Sequence, residues 1–255
     1  GRDIRQKTAD LLGDDNGLIT STDRPSTQKT RYLARNQQLL RADEESTVAL
    51  PPKAQAALIE IALKQLQQAP AVVLADYGKG VLDDKTIKAI IEAAREKNIP
   101  IIVDPMVRDF SRYRGASVVS PNRKELWEAT GMGTDGDDQI EAASWNIIDT
   151  CGIEAVVATR SEEGLSIVSG TGVIKHMPTE AKEIWDVSGA GDTVVANLAA
   201  AIGPDPELEF DERLTRSAAI ANMAGGIVVS KVGTATCTRD ELSAALTQHS
   251  RTAAR

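Results

Sequence analysis

Ala71-Val72-Val73-Leu74-Ala75 is an unbroken apolar run that ends on Asp76-Tyr77-Gly78-Lys79-Gly80. A short apolar run closed by a polar, glycine-rich turn reads as a strand buried on both faces. The pattern recurs down the chain. A helical stretch with Ile87, Ile90, Ile91 and Ala94 on one face leads to Pro100. Ile101-Ile102-Val103 is then a second strand, ending on Asp104-Pro105. Ser117-Val118-Val119 is a third, ending on Pro121-Asn122, and Ala155-Val156-Val157-Ala158 a fourth, ending on Thr159-Arg160-Ser161. Between them, a short helix carrying Leu126 and Ala129 stops at Gly131, and another from about Asp138 to Cys151 stops at Gly152. Strands alternating with helices predict an α/β fold with a parallel sheet covered on both faces. Ligands in such sheets sit beyond the carboxyl ends of the strands. Four neighbouring strand ends that all present polar groups to one edge therefore predict a cleft.

Beyond this repeat, Leu165-Ser166-Ile167-Val168 and Gly172-Val173-Ile174 predict a more exposed hairpin around Ser169-Gly170-Thr171. Three helices follow. One carries Val194, Val195, Leu198, Ala199 and Ile202 on a face, and one covers roughly Glu212 to Val229. The last starts at Thr238-Arg239-Asp240-Glu241, where Thr238 as N-cap and Glu241 three residues on form a capping box. Upstream, a helix is expected over Ala54 to Gln68. Thr30-Arg31-Tyr32-Leu33-Ala34 and Gln38-Leu39-Leu40-Arg41 predict two short strands joined by Arg35-Asn36-Gln37, with no helix between them and Pro51. The first residues, Gly1 to Gln6, read like a helix entered part-way, so the chain is expected to lack an N-terminal part.

The chain has 255 residues, 42% hydrophobic and 26% charged, and only 3% are aromatic. That is enough for one large α/β domain or two small ones, with a core built from Ala, Val, Ile and Leu. A net charge of −8 argues against nucleic acid or an anionic membrane as a partner held by bulk charge. No apolar run reaches the 18–20 residues of a membrane span. Cys151 and Cys237 have no metal-ligand spacing and read as small apolar residues of a reducing, cytoplasmic compartment. His176 and His249 read as lone structural or surface residues, and Trp127, Trp145 and Trp185 as packing residues.

The chemistry is expected at Asp186-Val187-Ser188-Gly189-Ala190-Gly191-Asp192-Thr193. Gly189 and Gly191 allow a sharp turn just before a helix, whose free first-turn amides favour negative charge. Such an anion hole suits a phosphoryl group in transfer. The helix dipole favours the ionised form of Asp192, and an ionised carboxylate beside that hole can accept a hydroxyl proton. Dipole preference alone would also put an Asp there. The stretch is not a dinucleotide fingerprint, since position 194 is Val and no convincing buried strand precedes it. Nor is there a P-loop, because Lys79 is followed by Gly80.

Asp, two residues, then Gly-Ala-Gly-Asp resembles the C-terminal signature of the ribokinase (PfkB) carbohydrate kinases. Within that family, the stretches Thr30 to Asp43, Asp76 to Gly80, Arg112 to Ala116 and Thr159 to Gly164 are similar to the heptose 7-phosphate kinases. The resemblance implies a three-layer α/β/α fold with a mostly parallel sheet and a small β lid at about residues 17–43. The kinase domain would cover residues 1–250, with a tail over 251–255. It implies Asp192 as catalytic base and Gly189, Ala190 and Gly191 as anion hole. Asn122 and Glu125 would help place Mg²⁺, with Glu125 acting through water, although the pair also has the spacing of a helix N-cap. Thr159, Arg160 and Gly164 would lie along ATP. Asn222, Lys231 and Gly233 would close over adenine, with a solvent-facing helix position as the other reading of Asn222. Asp186 and Ser188 would hold a monovalent cation such as K⁺.

Asp76, Tyr77, Lys79, Arg31, Arg35 and Asp104 are candidates for the sugar side, against a reading as solvated surface charges. The substrate implied is a small sugar phosphate, and the assembly a homodimer through the lid strands. Two departures from the family stand out. The opening strand and a Gly-Gly segment that contacts the sugar are not found, and Met106 follows Asp104-Pro105 where many relatives have Lys. A nucleotidyltransferase half is not found either. Another ribokinase-type acceptor, or a nucleotide-binding chain without catalysis, remains open on these residues.

Overall fold

The computed structural model describes every residue except Arg35, Asn36, Lys182, Pro204, Pro206, Ala254 and Arg255. The chain divides into two compact units, residues 1–67 with 78–90, and residues 68–77 with 91–255.

The first unit holds helix α1 (Arg2–Leu12), the antiparallel strands β1 (Gln28–Ala34) and β2 (Gln37–Glu44), and helix α2 (Pro52–Gln65). Pro52 opens α2 at a position where a missing N–H costs nothing. Arg24 ties the unit together by donating to the carbonyls of Ser46 at 2.8 Å and Lys79 at 2.7 Å. Leu50 N–H donates to the Gly80 carbonyl at 3.1 Å. Helix α3 (Asp84–Glu96) starts in this unit and runs into the second.

The second unit is built on a six-stranded sheet in the order β3 (Val72–Asp76), β4 (Ile101–Pro105), β5 (Val118–Val119), β6 (Ala155–Thr159), β7 (Leu165–Ser169), β8 (Ile174–Met177). The first four strands are parallel; β7 and β8 run antiparallel to their neighbours. Its other helices are α4 (Arg123–Thr130), α5 (Asp137–Cys151), α6 (Ala190–Ala201), α7 (Phe210–Val229) and α8 (Arg239–Ala253). The last of these extends past the expected tail boundary. Among the described residues no helix is long and apolar enough to cross a membrane.

Alternate residues of the strands serve different layers, as the two-residue period demands. Ile102, Val118, Ala155, Val157, Leu165 and Ile167 pack with Val195 and Leu198 of α6 and with Leu214 and Ala218 of α7. Ile101, Val103, Val119 and Val156 alternate with them and are buried on the other face. Each of the buried Val, Leu and Ile side chains contributes about 1.5–3 kcal/mol.

Two expectations are corrected here. β7 is buried at all five positions rather than exposed, because β6 and β8 flank it and α5 and α7 cover it. Trp127 and Trp185 are exposed rather than packed. The core aromatics are instead Phe110 and Tyr113, on a single 3-10 turn between β4 and β5 that apolar periodicity does not reveal.

Candidate active site

Helix α6 opens on Gly189, whose φ of 81° lies in the left-handed region that favours glycine. Ala190 N–H donates to the Val187 carbonyl at 3.2 Å and Thr193 N–H to the Gly189 carbonyl at 2.9 Å. The amides of Gly191 and Asp192, in the first turn, have no acceptor inside the helix and point out of its mouth. The turn before it is held by Asp186, which accepts from Ser188 N–H at 2.8 Å and from Gly233 N–H at 3.2 Å.

That mouth forms one wall of a cavity of about 680 Å³, within the usual range for small-molecule sites. Gly189, Ala190, Gly191 and Asp192 line it. So do Tyr77, Asp104, Asn122, Glu125, Thr159, Gly164 and Asn222, all of them anticipated from the sequence. The strand ends of β3, β4, β5 and β6 thus meet the α6 mouth, as a parallel sheet requires.

Several side chains have more specific surroundings than their sequence context suggests. Asn122 and Glu125 close a complete capping box on α4 and also face the cavity. Burial holds the Glu125 carboxyl above the ordinary carboxylate range. Burial, then the neighbouring charges of Glu125 and Asp192, push Asp104 from 3.8 up to about 6. Asn222 is buried, not solvent-facing, and donates to the Pro178 carbonyl at 2.7 Å. Gly164 has a φ of 88°, and a Cβ there would lie 2.1 Å from the Met177 carbonyl oxygen. Only glycine fits, and its backbone is thereby brought to the cavity wall.

Other candidates are turned elsewhere. The Arg160 guanidinium is 4% exposed and does not line the cavity; it bonds Asp137 at 2.5 Å, Ser166 at 3.0 Å and Glu163. The reason is direction. Arg160 follows the last β6 residue, and its side chain reaches Ser166 on β7, His176 on β8 and Asp137 at the start of α5. His176 is not a lone residue: Nδ1 lies 2.8 Å from Ser166 Oγ and Nε2 lies 2.9 Å from Glu141. His249 lies 3.4 Å from the Glu180 carboxylate.

Asp76 is 3% exposed and lies on the opposite face of the sheet. Ala75, not Asp76, is in register with Asp104, so the next residue points away from the cavity. Its carboxylate accepts from Tyr113 at 2.7 Å and pairs with Arg112 at 3.2 Å. Lys231 donates to the Thr236 carbonyl at 2.8 Å and pairs with Glu241 at 2.6 Å, so with Gly233 it shapes the loop behind Asp186. In the first unit, the Lys79 ammonium is held by Glu45 at 2.5 Å, and Arg31 is exposed on β1. Arg35 lies outside the described residues.

Ser120 and Arg123 line the cavity without having been anticipated, and so does Met106, which the sequence marked only as a departure from the family's Lys. Ser120 is 4% exposed, and its hydroxyl has no partner among the described residues. Its place one residue before Pro121-Asn122, at a strand end, was the available signal.

The family model described as pfkB family carbohydrate kinase matches residues 1–241. The chain belongs to the pfkB family of carbohydrate kinases. It is 47% identical over 242 residues to the bifunctional protein HldE of Rhodospirillum rubrum, covering 93% of this chain and 48% of the relative. It is 46% identical over 246 residues to HldE of Paramagnetospirillum magneticum, covering 96% and 49%. The pfkB chain spans about half the length of these curated relatives. Among solved structures, ribokinase from Giardia lamblia superposes with a TM-score of 0.77 at 20% identity, covering 97% of this chain and 79% of that one. Phosphofructokinase-2 from Escherichia coli in complex with potassium does so at 0.63 and 20%, covering 82% and 67%. The pfkB fold of this chain is therefore ribokinase-like, with a mostly parallel sheet between helical layers.

The residues present fit a nucleotide and a hydrated divalent ion. Outward-pointing amides at the α6 mouth suit a phosphoryl group, and the half-buried Glu125 carboxylate offers an acceptor to metal-bound water.

Proposed function

We propose that this chain transfers the γ-phosphoryl group of ATP to the anomeric hydroxyl of D-glycero-D-manno-heptose 7-phosphate, a step in supplying ADP-heptose for lipopolysaccharide. The observation that carries the transfer chemistry is Asp192 beside free helix-mouth amides on a cavity wall made by four strand ends. The acceptor rests on the resemblance of the Thr30–Asp43, Asp76–Gly80 and Arg112–Ala116 stretches to heptose 7-phosphate kinases.

Asp192 accepts the hydroxyl proton as the sugar oxygen bonds to phosphorus and the bond to the ADP oxygen breaks. The amides of Gly191 and Asp192 donate to the oxygens on which charge gathers. Thr159, Gly164 and Asn222 line the nucleotide side, and Asp104 and Tyr77 the acceptor side. Asn122 positions Glu125, which would hold Mg²⁺ through water; a bound magnesium ion supplies charge compensation. Asp186 and Ser188 are the candidate holders of K⁺. A homodimer through β1 and β2 is supported by the exposure of Tyr32, Leu33, Leu39 and Leu40 on that hairpin.

The test measures ADP release with ATP, Mg²⁺ and a panel of sugars, sugar phosphates and nucleosides. Asp192→Asn is expected to lower turnover by about 10²–10⁴ while leaving ATP affinity within threefold. Near-normal turnover removes Asp192 from this role. Release with a different acceptor alone reassigns the substrate, and ATP binding without release from any acceptor favours a non-catalytic nucleotide-binding chain.

A further inference from the structure

Tyr77 presents its hydroxyl to the carboxylate expected to act as base. It is the first residue past β3, half-exposed, and its Oη donates to Asp192 Oδ1 at 3.2 Å. The contact joins two elements far apart in sequence, the end of a strand and the first turn of α6. We infer that Tyr77 is a positioning residue for Asp192: its phenol holds Oδ1, fixes the carboxylate plane and leaves Oδ2 to take the acceptor's proton. The inference rests on the kinase reading above and goes beyond it.

Three observations support this role. First, the backbone that carries Tyr77 is immobilised. Asp76 is pinned on the opposite face by Tyr113 at 2.7 Å and Arg112 at 3.2 Å, and its carbonyl accepts from Met106 N–H at 3.0 Å. The buried Asp76 cluster, which has no access to the cavity, thereby serves the cavity through its neighbour. Second, Asp192 sits at the third residue of α6, and among the described residues the hydrogen bond its carboxylate accepts from a side chain is the one from Tyr77. A short acid side chain at a helix mouth can rotate about its terminal torsion, and one directional donor removes that freedom. Third, the phenol is held in its neutral, donating form: burial, then the charge and hydrogen bond of Asp192, then the charge of Asp104, all raise its ionisation above the ordinary tyrosine value. The 3.2 Å separation is long for O–H···O, as is common for catalytic contacts before substrate closes the site.

A hydroxyl that positions a base acts on the chemical step, whereas one that grips the sugar acts on binding. Tyr77→Phe removes only the hydroxyl. In steady-state assays of ADP release, it is expected to lower kcat about tenfold with the acceptor KM changed less than twofold, and with an unchanged unfolding midpoint. A raised acceptor KM at normal kcat, or unaltered kinetics, overturns the inference.

A second measurement does not depend on turnover. Phenol ionisation is followed by ultraviolet absorbance in the wild type, Tyr77→Phe and Asp192→Asn. The titration that disappears in Tyr77→Phe is assigned to Tyr77, and it should move to lower pH in Asp192→Asn. An unmoved Tyr77 titration refutes the contact. A wild type that releases no ADP with any acceptor but shows the titration shift overturns the kinase reading instead, so the two failures are separable.

Discussion

Asp104 gives the sharpest test of how the cavity is built. Its carboxyl is held near 6 rather than 3.8, chiefly by burial and secondarily by the charges of Glu125 and Asp192. The folded state therefore binds a proton more tightly than the unfolded chain does. The sign follows directly: this group leaves stability intact below about pH 4, and stability falls as pH rises through about 6. Two pH units at about 1.4 kcal/mol each set an upper bound near 3 kcal/mol. Asp104 retains some contact with solvent, which screens the neighbouring charges, so about 1.5 kcal/mol is the working figure.

Asp104→Asn removes the penalty and keeps the shape. The variant should be more stable than the wild type by about 1.5 kcal/mol at pH 7.5, with the gain falling between about pH 6 and pH 4 and gone by about pH 3. Urea unfolding at a series of pH values measures this, read by tryptophan fluorescence. Trp127, Trp145 and Trp185 all lie in the second unit, the one that contains Asp104. A gain that does not vary with pH, or a variant less stable than the wild type at pH 7.5, would refute the reasoning. A carboxylate kept at such a cost marks a site where function opposes stability.

Two further outcomes follow from the walls of the same cavity. Gly164→Ala meets the Met177 carbonyl at 2.1 Å in a backbone conformation unfavourable to alanine, so the 161–165 turn must shift. ATP affinity, measured by calorimetry, should fall at least tenfold. Arg160→Met should lower the unfolding free energy from urea titration by about 1–2 kcal/mol for the lost hydrogen bonds to Ser166 and His176, yet leave ATP affinity within twofold, because the guanidinium is not on the cavity wall.

The parallel strands were legible because their apolar runs are short, bounded and rich in Val and Ile. The α6 mouth was legible because Gly189 and Gly191 permit a sharp turn into a helix and the run from Asp186 to Asp192 resembles the family signature; Asp192 alone would have read equally well as a dipole preference. What escaped was direction. Arg160 and Asp76 stand at strand ends, as the sequence indicates, but whether such a residue faces the ligand or the far side depends on register, which a lone sequence does not display. Ala75 in line with Asp104 decides it for Asp76. The burial of β7 was hidden for a related reason. Ser166 and Ser169 lend the strand a polar alternation, but Ser166 is taken up by Arg160 and His176, and Ser169 donates to Asp211 at 2.7 Å. The 3-10 turn with Phe110 and Tyr113 has too few residues to show any periodicity.

The alternation along β3, β4 and β5 has an evolutionary corollary. Leu74, Val103 and Val119 hold the hydrocarbon interior together, whereas Asp104 and Ser120, each one step further along its strand, meet the ligand space. New acceptor preferences can be explored by exchanging residues at such tips while the buried positions beside them stay untouched. A single inserted residue in one of these strands would trade the two sets in one stroke, so lineages diverging in specificity should accumulate substitutions at the tips and keep strand lengths constant.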